Sequence, residues 1–125
     1  MRTAVDAVII QNKSILLVKK RNTWILPGGK PKEKESDIQC LIREVTREEI
    51  PSTKLSNFKF YGEFKGKTPH QGDILLVKVY LAEIQGEIKS GAEIIDARWV
   101  RKPENYKLSE ITKKIIKDLR GKGYL

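Results

Sequence analysis

The sequence predicts an α/β fold in which a mixed β-sheet is covered by helices on its faces. Two observations lead to this prediction. Apolar or alternating runs of strand length fall into two groups, and one amphipathic segment of helical period follows each group. With 125 residues and 39% hydrophobic content, the chain is long enough to bury a core, and we expect a single domain over residues 1–125.

The first group of strands lies in the first quarter of the chain. We expect strands at 5–10 and 14–18 joined by a turn at 11–13, followed by a short extended segment at 24–26. Pro27-Gly28-Gly29 then breaks the extended pattern, and a polar loop follows. A glycine-containing loop therefore precedes the first predicted helix.

The first helix is expected to begin at Ser36. Ser36 and Gln39 have the spacing of a capping box, in which two side chains satisfy two free backbone N–H groups. Apolar residues recur at helical spacing and predict the buried face: Ile38, Leu41, Ile42 and Val45. Pro51 predicts the end, because proline cannot continue a helix.

The second half of the chain predicts further strands and a closing helix. Strands are expected at 57–64, 73–82, 87–89 and 94–100. Phe58, Phe60 and Phe64 are expected on one side of the first of these strands. Ser109 predicts the cap of the final helix and Gly121 its end. The inward-facing residues of that helix should be Ile111, Ile115, Ile116 and Leu119.

Charge and composition restrict the function classes. The formal net charge of +9 favours anionic partners such as nucleotides, although a lysine-rich surface that only aids solubility is the commoner explanation. RNA is a conceivable partner, but no nucleic-acid-binding motif supports it. No apolar run is long enough to span a bilayer, and no secretory signal is recognisable, so we expect a cytoplasmic protein without membrane contact. Cys40 is the only cysteine, which excludes an internal disulfide.

Two carboxylates share one face of the first predicted helix. Glu44, Arg47 and Glu48 stand at positions i, i+3 and i+4, which are neighbours on an α-helix. Glu44 and Glu48 repel one another at this spacing, so a purely structural helix gains nothing from the arrangement. A hard cation between them would turn the repulsion into binding.

These residues resemble the signature of the Nudix (MutT-like) family, G-x5-E-x7-R-E-U-x-E-E-x-G-U, where U is a bulky apolar residue. The matching positions are Gly29, Glu35, Arg43, Glu44, Val45 and Glu48. The preceding Trp24-x-x-Pro27-Gly28-Gly29 and the segment from Glu93 to Trp99-Val100 also look like the family, as does the order of elements along nearly the whole chain. The resemblance implies a Nudix-type α/β/α sandwich.

The resemblance also implies a magnesium site, with Mn²⁺ as an alternative ion. Glu44, Glu48 and the Gly28 carbonyl would be the metal ligands, and Glu35 and Arg43 would orient the site. The expected reaction is hydrolysis of a pyrophosphate bond in a nucleoside diphosphate joined to another group, most simply a nucleoside triphosphate. The general base would be Glu44 or a carboxylate from a later loop, for which Glu93 is the best candidate. The catalytic set is thus Glu35, Arg43, Glu44, Glu48 and Glu93.

Three positions depart from the signature. Arg47 stands where the first glutamate of the pair is expected, and Ile50-Pro51 replaces the final glycine and apolar residue. Arg47 would repel a metal ion if it faced the site. Glu49 lies about 100° round an α-helix from Glu48, which makes it an imperfect substitute. A domain that binds a nucleotide or partner without hydrolysis, and an enzyme acting on RNA 5′ ends, therefore stay open, as does the choice between monomer and homodimer.

Four further residues have competing interpretations. Trp24 suits either base stacking or the core, and Trp99 is expected in the core. His70 is expected to be a solvated loop residue rather than a proton carrier. Cys40 is expected to be a buried thiol rather than a nucleophile.

Overall fold

The computed structural model describes residues 2–67, 73–91 and 94–125. In these residues the strands are β1 (Arg2–Val8), β2 (Ile10–Gln11), β3 (Ser14–Lys20), β4 (Thr23–Ile25), β5 (Gly28–Gly29), β6 (Thr53–Lys67), β7 (Ile74–Gly86) and β8 (Asp96–Val100). The helices are α1 (Asp37–Leu41), which runs directly into a π-helix (Ile42–Glu49), a 3₁₀ turn (Pro103–Asn105) and α2 (Glu110–Gly121).

The strands form two sheets, of which the first is mixed and the second is antiparallel. In the first, the order is β5-β1-β7-β6; β1 and β7 are parallel, and the two outer pairings are antiparallel. In the second, β3 pairs antiparallel with β2, β4 and β8. The predicted α/β class with a mixed sheet between helices is confirmed.

Alternating side chains of the central strands form two cores, because successive residues of a strand point to opposite faces. On one face, Ala4 and Val8 of β1 join apolar residues of β3 and of α2. On the other face, Val5 and Ala7 join the alternate residues of β3 and the buried side of α1 and the π-helix. The helix that carries the acidic residues is thus fixed to the sheet by its own core.

The predicted alignment of the three phenylalanines in β6 is wrong. β6 contains register shifts between Ser56 and Lys59 and again between Phe60 and Gly62. Each irregularity changes which face the following residues occupy. Phe64 therefore packs on the core of α2, Phe58 packs on the core of α1, and Phe60 is 52% exposed.

Two local predictions in the second half of the chain are also corrected. Residues 87–89 form no strand, because β7 already extends to Gly86, which takes a φ of +115°. Gly121 is the last residue of α2 rather than the turn beyond it. The left-handed conformation falls on Gly123, with φ +83°.

The remaining predictions concern the two tryptophans, two loop residues and membrane contact. Trp24 is buried against Tyr106 with ring centroids 5.3 Å apart, so it belongs to the core, whereas Trp99 is half-buried against the core of α1. His70 and Glu93 lie outside the described residues. No helix in the described ranges is both long and apolar enough to cross a membrane.

Candidate functional site

The acidic residues lie on a helix that changes type along its length. At its start, the Ser36 hydroxyl accepts a hydrogen bond from the Gln39 N–H at 3.1 Å, and the Gln39 side chain accepts one from the Ser36 N–H at 2.9 Å, as the capping box predicts. From Ile42 onward the helix is π-helical, and the Ile50 N–H donates to the Val45 carbonyl five residues back at 2.8 Å. Such turns are rare and often lie at functional sites.

This change of helix type corrects the predicted buried face. The prediction assumed α-helical spacing throughout and placed Ile38 and Ile42 in the core, but both are only half-buried. The prediction is confirmed for Leu41 and Val45, which are fully buried, and Cys40 and Ile50 are buried with them. Glu49 is buried with them, although a carboxylate is costly to bury unless it is paired.

Arg43 joins three of the predicted site residues. Its Nε and Nη2 atoms donate to the two oxygens of Glu35 at 2.8 and 2.9 Å, which is a bidentate pair. Its Nη1 atom donates to Glu44 Oε1 and to Glu48 Oε2, both at 2.8 Å, and Nη2 also donates to the Lys30 carbonyl at 3.0 Å. Glu44 and Glu48 therefore already share one cationic group.

The contacts between Arg43 and Glu35 shift the pKa values of both groups. Hydrogen bonds from Arg43, assisted by the Lys32 N–H, lower the pKa of Glu35 to about 2. The same hydrogen bonds raise the pKa of Arg43 above its ordinary value. Glu35 thus carries a full negative charge at neutral pH and holds the guanidinium in one orientation.

Glu49 forms a second, deeper acidic position. The Gly28 N–H donates to its Oε1 atom at 2.8 Å, and the ammonium group of Lys20 lies 3.0 Å from its Oε2 atom. Burial raises the pKa of Glu49 to about 7, against the opposing effect of Lys20. Burial alone would lower the pKa of Lys20, but the Glu49 carboxylate outweighs it and the pKa is raised. Oε2 is buried and accepts no well-directed hydrogen bond within the described residues.

The glycines of β5 allow this close arrangement of carboxylates. A Cβ atom on Gly29 would lie 2.4 Å from Cδ of Glu44, so only glycine leaves room for that carboxylate. Gly28 has a φ of +149°, and a Cβ there would lie 2.2 Å from the Val5 carbonyl oxygen and 2.5 Å from Oδ1 of Asp6. Partial burial and the nearby Glu49 raise the pKa of Asp6 well above its usual range. Three carboxylates therefore surround the backbone of one two-residue strand.

Cys40 lies under the same loop without taking part in its charge network. Its thiol faces the Gly29 carbonyl at 3.5 Å, and burial raises its pKa to about 12. A thiol that stays protonated at neutral pH is a poor nucleophile. The expectation of a buried, unreactive cysteine agrees with this environment.

The donor set fits a hard divalent cation. Across the described ranges, no three acidic, histidine or cysteine side chains already converge as a preformed metal cage, since Arg43 and Lys20 occupy the carboxylates. The available donors are nonetheless carboxylate oxygens, which Mg²⁺ prefers. The Glu44 carboxylate, packed against Gly29, and the buried Glu49 carboxylate each lie beside a cationic side chain, which is the charge environment that a small cation would also supply.

The structure groups the predicted site acids around Arg43, and it leaves Arg47 exposed. The grouped acids are Glu35, Glu44 and Glu48. Sequence reasoning did not identify three features of the site, namely Asp6, Lys20 and the central position of Glu49. Asp6 and Lys20 come from strands far from the signature and carry no motif. Glu49 follows Thr46, Arg47 and Glu48, so no residue type marks it as buried, and its direction depends on the π-helix.

The chain belongs to the Nudix family. The family model described as the NUDIX domain matches residues 1–119. Nudix hydrolases act on pyrophosphate bonds in phosphorus-containing compounds, and they generally use divalent metal ions. The family assignment made from the signature is thereby confirmed.

Individual relatives support the family and the fold. The chain is 28% identical over 120 residues to an ADP-ribose pyrophosphatase of Methanocaldococcus jannaschii, covering 92% of this chain and 70% of that protein. It resembles the crystal structure of a MutT NUDIX hydrolase from Burkholderia pseudomallei with a TM-score of 0.81 and 23% identity, over 93% and 95% of the two chains. A putative Nudix hydrolase family member from Chromobacterium violaceum gives a TM-score of 0.75 and 26% identity, over 96% and 78%.

Proposed function

We propose that this chain is a Mg²⁺-dependent hydrolase that cleaves the pyrophosphate bond of a nucleoside diphosphate-linked substrate in a single domain of residues 1–125. The observation that carries the proposal is the grouping of Glu44, Glu48 and Arg43 beside the Gly28–Gly29 backbone. Carboxylates this close together repel one another unless a cation lies between them. In this chain the cation is a guanidinium that also contacts Glu35, so the carboxylates are held ready for a metal ion.

Each residue has a proposed role that follows from its contacts. Glu44 and Glu48 hold the metal ion, with the Gly28 carbonyl as a further ligand. Arg43, fixed by Glu35, positions both carboxylates through one nitrogen atom. When bound, Mg²⁺ supplies positive charge that offsets the charge developing on the phosphate oxygens during displacement. Mn²⁺ would serve the same purpose.

The proton acceptor for the attacking water is proposed to be Glu44 or Glu93. Glu44 lies against Gly29, next to the Gly28 carbonyl that is proposed as a metal ligand, so its carboxylate adjoins the proposed metal position. Glu93 remains a prediction from the sequence. A general base is recognised first by hydrogen-bond reach to the proton it accepts and then by its pKa.

Two substrate classes have separate support. Nucleoside triphosphates are the simplest compounds with the required bond, and they are the class we propose. ADP-ribose is the second candidate, because the relative from Methanocaldococcus jannaschii is named an ADP-ribose pyrophosphatase. RNA 5′ ends are a weaker candidate that rests on the net charge of +9.

The test is a turnover assay on a substrate panel. It would contain nucleoside triphosphates, ADP-ribose, dinucleoside polyphosphates and a 5′-triphosphorylated RNA, each with Mg²⁺, with Mn²⁺ and with chelator. We expect metal-dependent turnover that falls at least about 100-fold in Glu44→Gln, because that change removes a charge from the reacting centre. Glu110→Gln, an exposed acid on α2, is the matched control and should keep full activity.

Two outcomes would contradict the proposal. Nucleotide binding without turnover on any compound would establish a binding module instead of an enzyme. Turnover that survives both chelator and Glu44→Gln would show that hydrolysis does not depend on this site.

A further inference from the structure

We propose that the π-helix accommodates Arg47 as one extra residue, so that Glu49, together with Glu44 and Glu48, supplies the inner carboxylate of the metal site. This inference rests on the proposed metal-dependent function. It assigns a role to a residue that lies outside the glutamate positions of the signature and removes Arg47 from the site.

The first argument is helical geometry. In an α-helix, residues five apart lie about 140° apart around the axis, so Glu44 and Glu49 would face different ways. In the π-helix, hydrogen bonds close on the fifth residue, as Ile50 and Val45 show at 2.8 Å. A residue and the one five positions later then approach the same face. The widened turn therefore brings Glu49 round towards Glu44.

The second argument is that adjacent residues of one strand contact both acids. Gly29 leaves the space into which the Glu44 carboxylate fits, and the neighbouring Gly28 N–H donates to Glu49 Oε1 at 2.8 Å. The two carboxylates thus meet the same two-residue strand. Glu48 contacts the same Arg43 Nη1 atom as Glu44, which connects it to these two acids.

The third argument is the state of Glu49 itself. Its side chain is 4% exposed, and its buried Oε2 has the Lys20 ammonium beside it but no well-directed hydrogen bond in the described chain. Burial of a carboxylate in this way costs several kcal/mol of desolvation free energy unless a cation compensates its charge. A helix needed only for packing would carry an apolar residue here. Glu49 is held beside the cation of Lys20 as Glu44 is held beside that of Arg43, and this shared arrangement indicates a ligand position.

The fourth argument concerns Arg47. Its side chain is exposed and, although it lines a surface depression together with Glu35 and Arg43, it forms no ion pair with an acid among the described residues. If Arg47 is treated as an inserted residue and left out of the alignment, the Nudix signature continues without a gap. Glu48 and Glu49 then form the adjacent glutamate pair that follows Arg43-Glu44 in the signature. The apparent loss of an acid at position 47 is then a one-residue insertion that the π-helix absorbs.

The test measures metal binding directly, so that it does not depend on turnover. Mn²⁺ would be titrated into the intact chain and its free concentration followed by electron paramagnetic resonance. Glu49→Gln should weaken Mn²⁺ binding by at least about 10-fold while the chain remains folded. Arg47→Glu should change the affinity by less than about threefold, because exposed charges at a distance are screened. Lys54→Glu makes the same charge change at an exposed position of β6 and is the matched control.

Deletion of Arg47 is the sharpest variant. It converts the segment to Arg-Glu-Val-Thr-Glu-Glu and should keep Mn²⁺ affinity within about threefold of the intact chain, because an α-helix can then present the same acids. If the deletion prevents folding, the Glu49→Gln and Arg47→Glu pair still decides the matter. Unchanged affinity in Glu49→Gln, tighter binding by 10-fold in Arg47→Glu, or no Mn²⁺ binding by the intact chain would each overturn the inference. Mn²⁺ binding through Glu49 without hydrolysis would support it and contradict only the proposed activity.

Discussion

The two long helical segments begin in the same way and then diverge. Ser36 and Ser109 each cap a helix by accepting a hydrogen bond from the N–H three residues on. α2 then continues as a regular α-helix to Gly121 and buries apolar residues on one side. The segment after Ser36 becomes π-helical at Ile42 and buries a glutamate. α2 thus contributes apolar packing, whereas the irregular helix also holds the acidic residues of the proposed metal site.

The largest expected effect lies in the regular helix. Leu119→Ala leaves a cavity beneath α2, where Leu119 is fully buried, and should lower the free energy of unfolding by about 2–5 kcal/mol. Urea unfolding of both proteins measures the difference. Mn²⁺ affinity of the folded variant should stay unchanged, because the core of α2 lies on the other face of the sheet from the acids.

Lys117→Ala, on the exposed side of the same helix, is the control for this change and should shift stability by no more than about 0.5 kcal/mol. A Leu119→Ala protein that is stable but cannot bind Mn²⁺ would show that the two faces are not independent.

The next largest effect lies in the glycine strand of the site. Gly29→Ala places a Cβ atom about where the Glu44 carboxylate lies, and the flexible Glu44 side chain has to move. We expect kcat/KM to fall by about 100-fold, the usual result of a displacement of about 1 Å in a reacting group. The free energy of unfolding should change little, because only the end of one side chain is displaced.

Gly28→Ala is the contrasting variant. It needs a φ of +149° and would bring a Cβ atom to 2.2 Å from the Val5 carbonyl oxygen, so it should destabilise the fold itself. If Gly29→Ala instead keeps full kcat/KM, the position of Glu44 beside this strand has no bearing on the reaction.

The smallest effect is the dependence of stability on pH. The pKa of Glu35 is lowered to about 2 in the folded chain by Arg43, against 4.5 for an ordinary glutamate. A lowered pKa contributes stability that is present above the unfolded pKa and is lost as pH falls towards the folded one. The stability difference between the intact chain and Glu35→Gln should therefore decrease as pH falls from about 5 to about 2, as measured by urea unfolding. A stability difference that stays constant over this pH range would show that the charges of Glu35 and Arg43 add no stability.

Much of the fold could be predicted because local chemistry determines it. Ser36 and Ser109 were identified as caps from the residue type and spacing, and Ile115, Ile116 and Leu119 followed from the α-helical period. The signature spacing placed Glu35, Arg43 and Glu44 in one group, and they do lie in contact.

The rest could not be predicted for a physical reason. The spacing of apolar residues was interpreted for an α-helix throughout. That assumption placed Glu49 away from the site and Ile42 in the core. The bulges in β6 likewise broke the alternation on which the phenylalanine prediction depended. Lys20 enters the site from β3 by tertiary packing alone, and no spacing in the sequence connects it to Glu49.

The most direct measurement is the position of the metal ion. Crystals grown with Mn²⁺ and measured at the manganese absorption edge would locate it by anomalous scattering. The account predicts one strong peak at ligand distance from the carboxylates of Glu44, Glu48 and Glu49, with the Arg47 side chain turned away. A peak coordinated without Glu49, or located away from the Gly28–Gly29 strand, would contradict it.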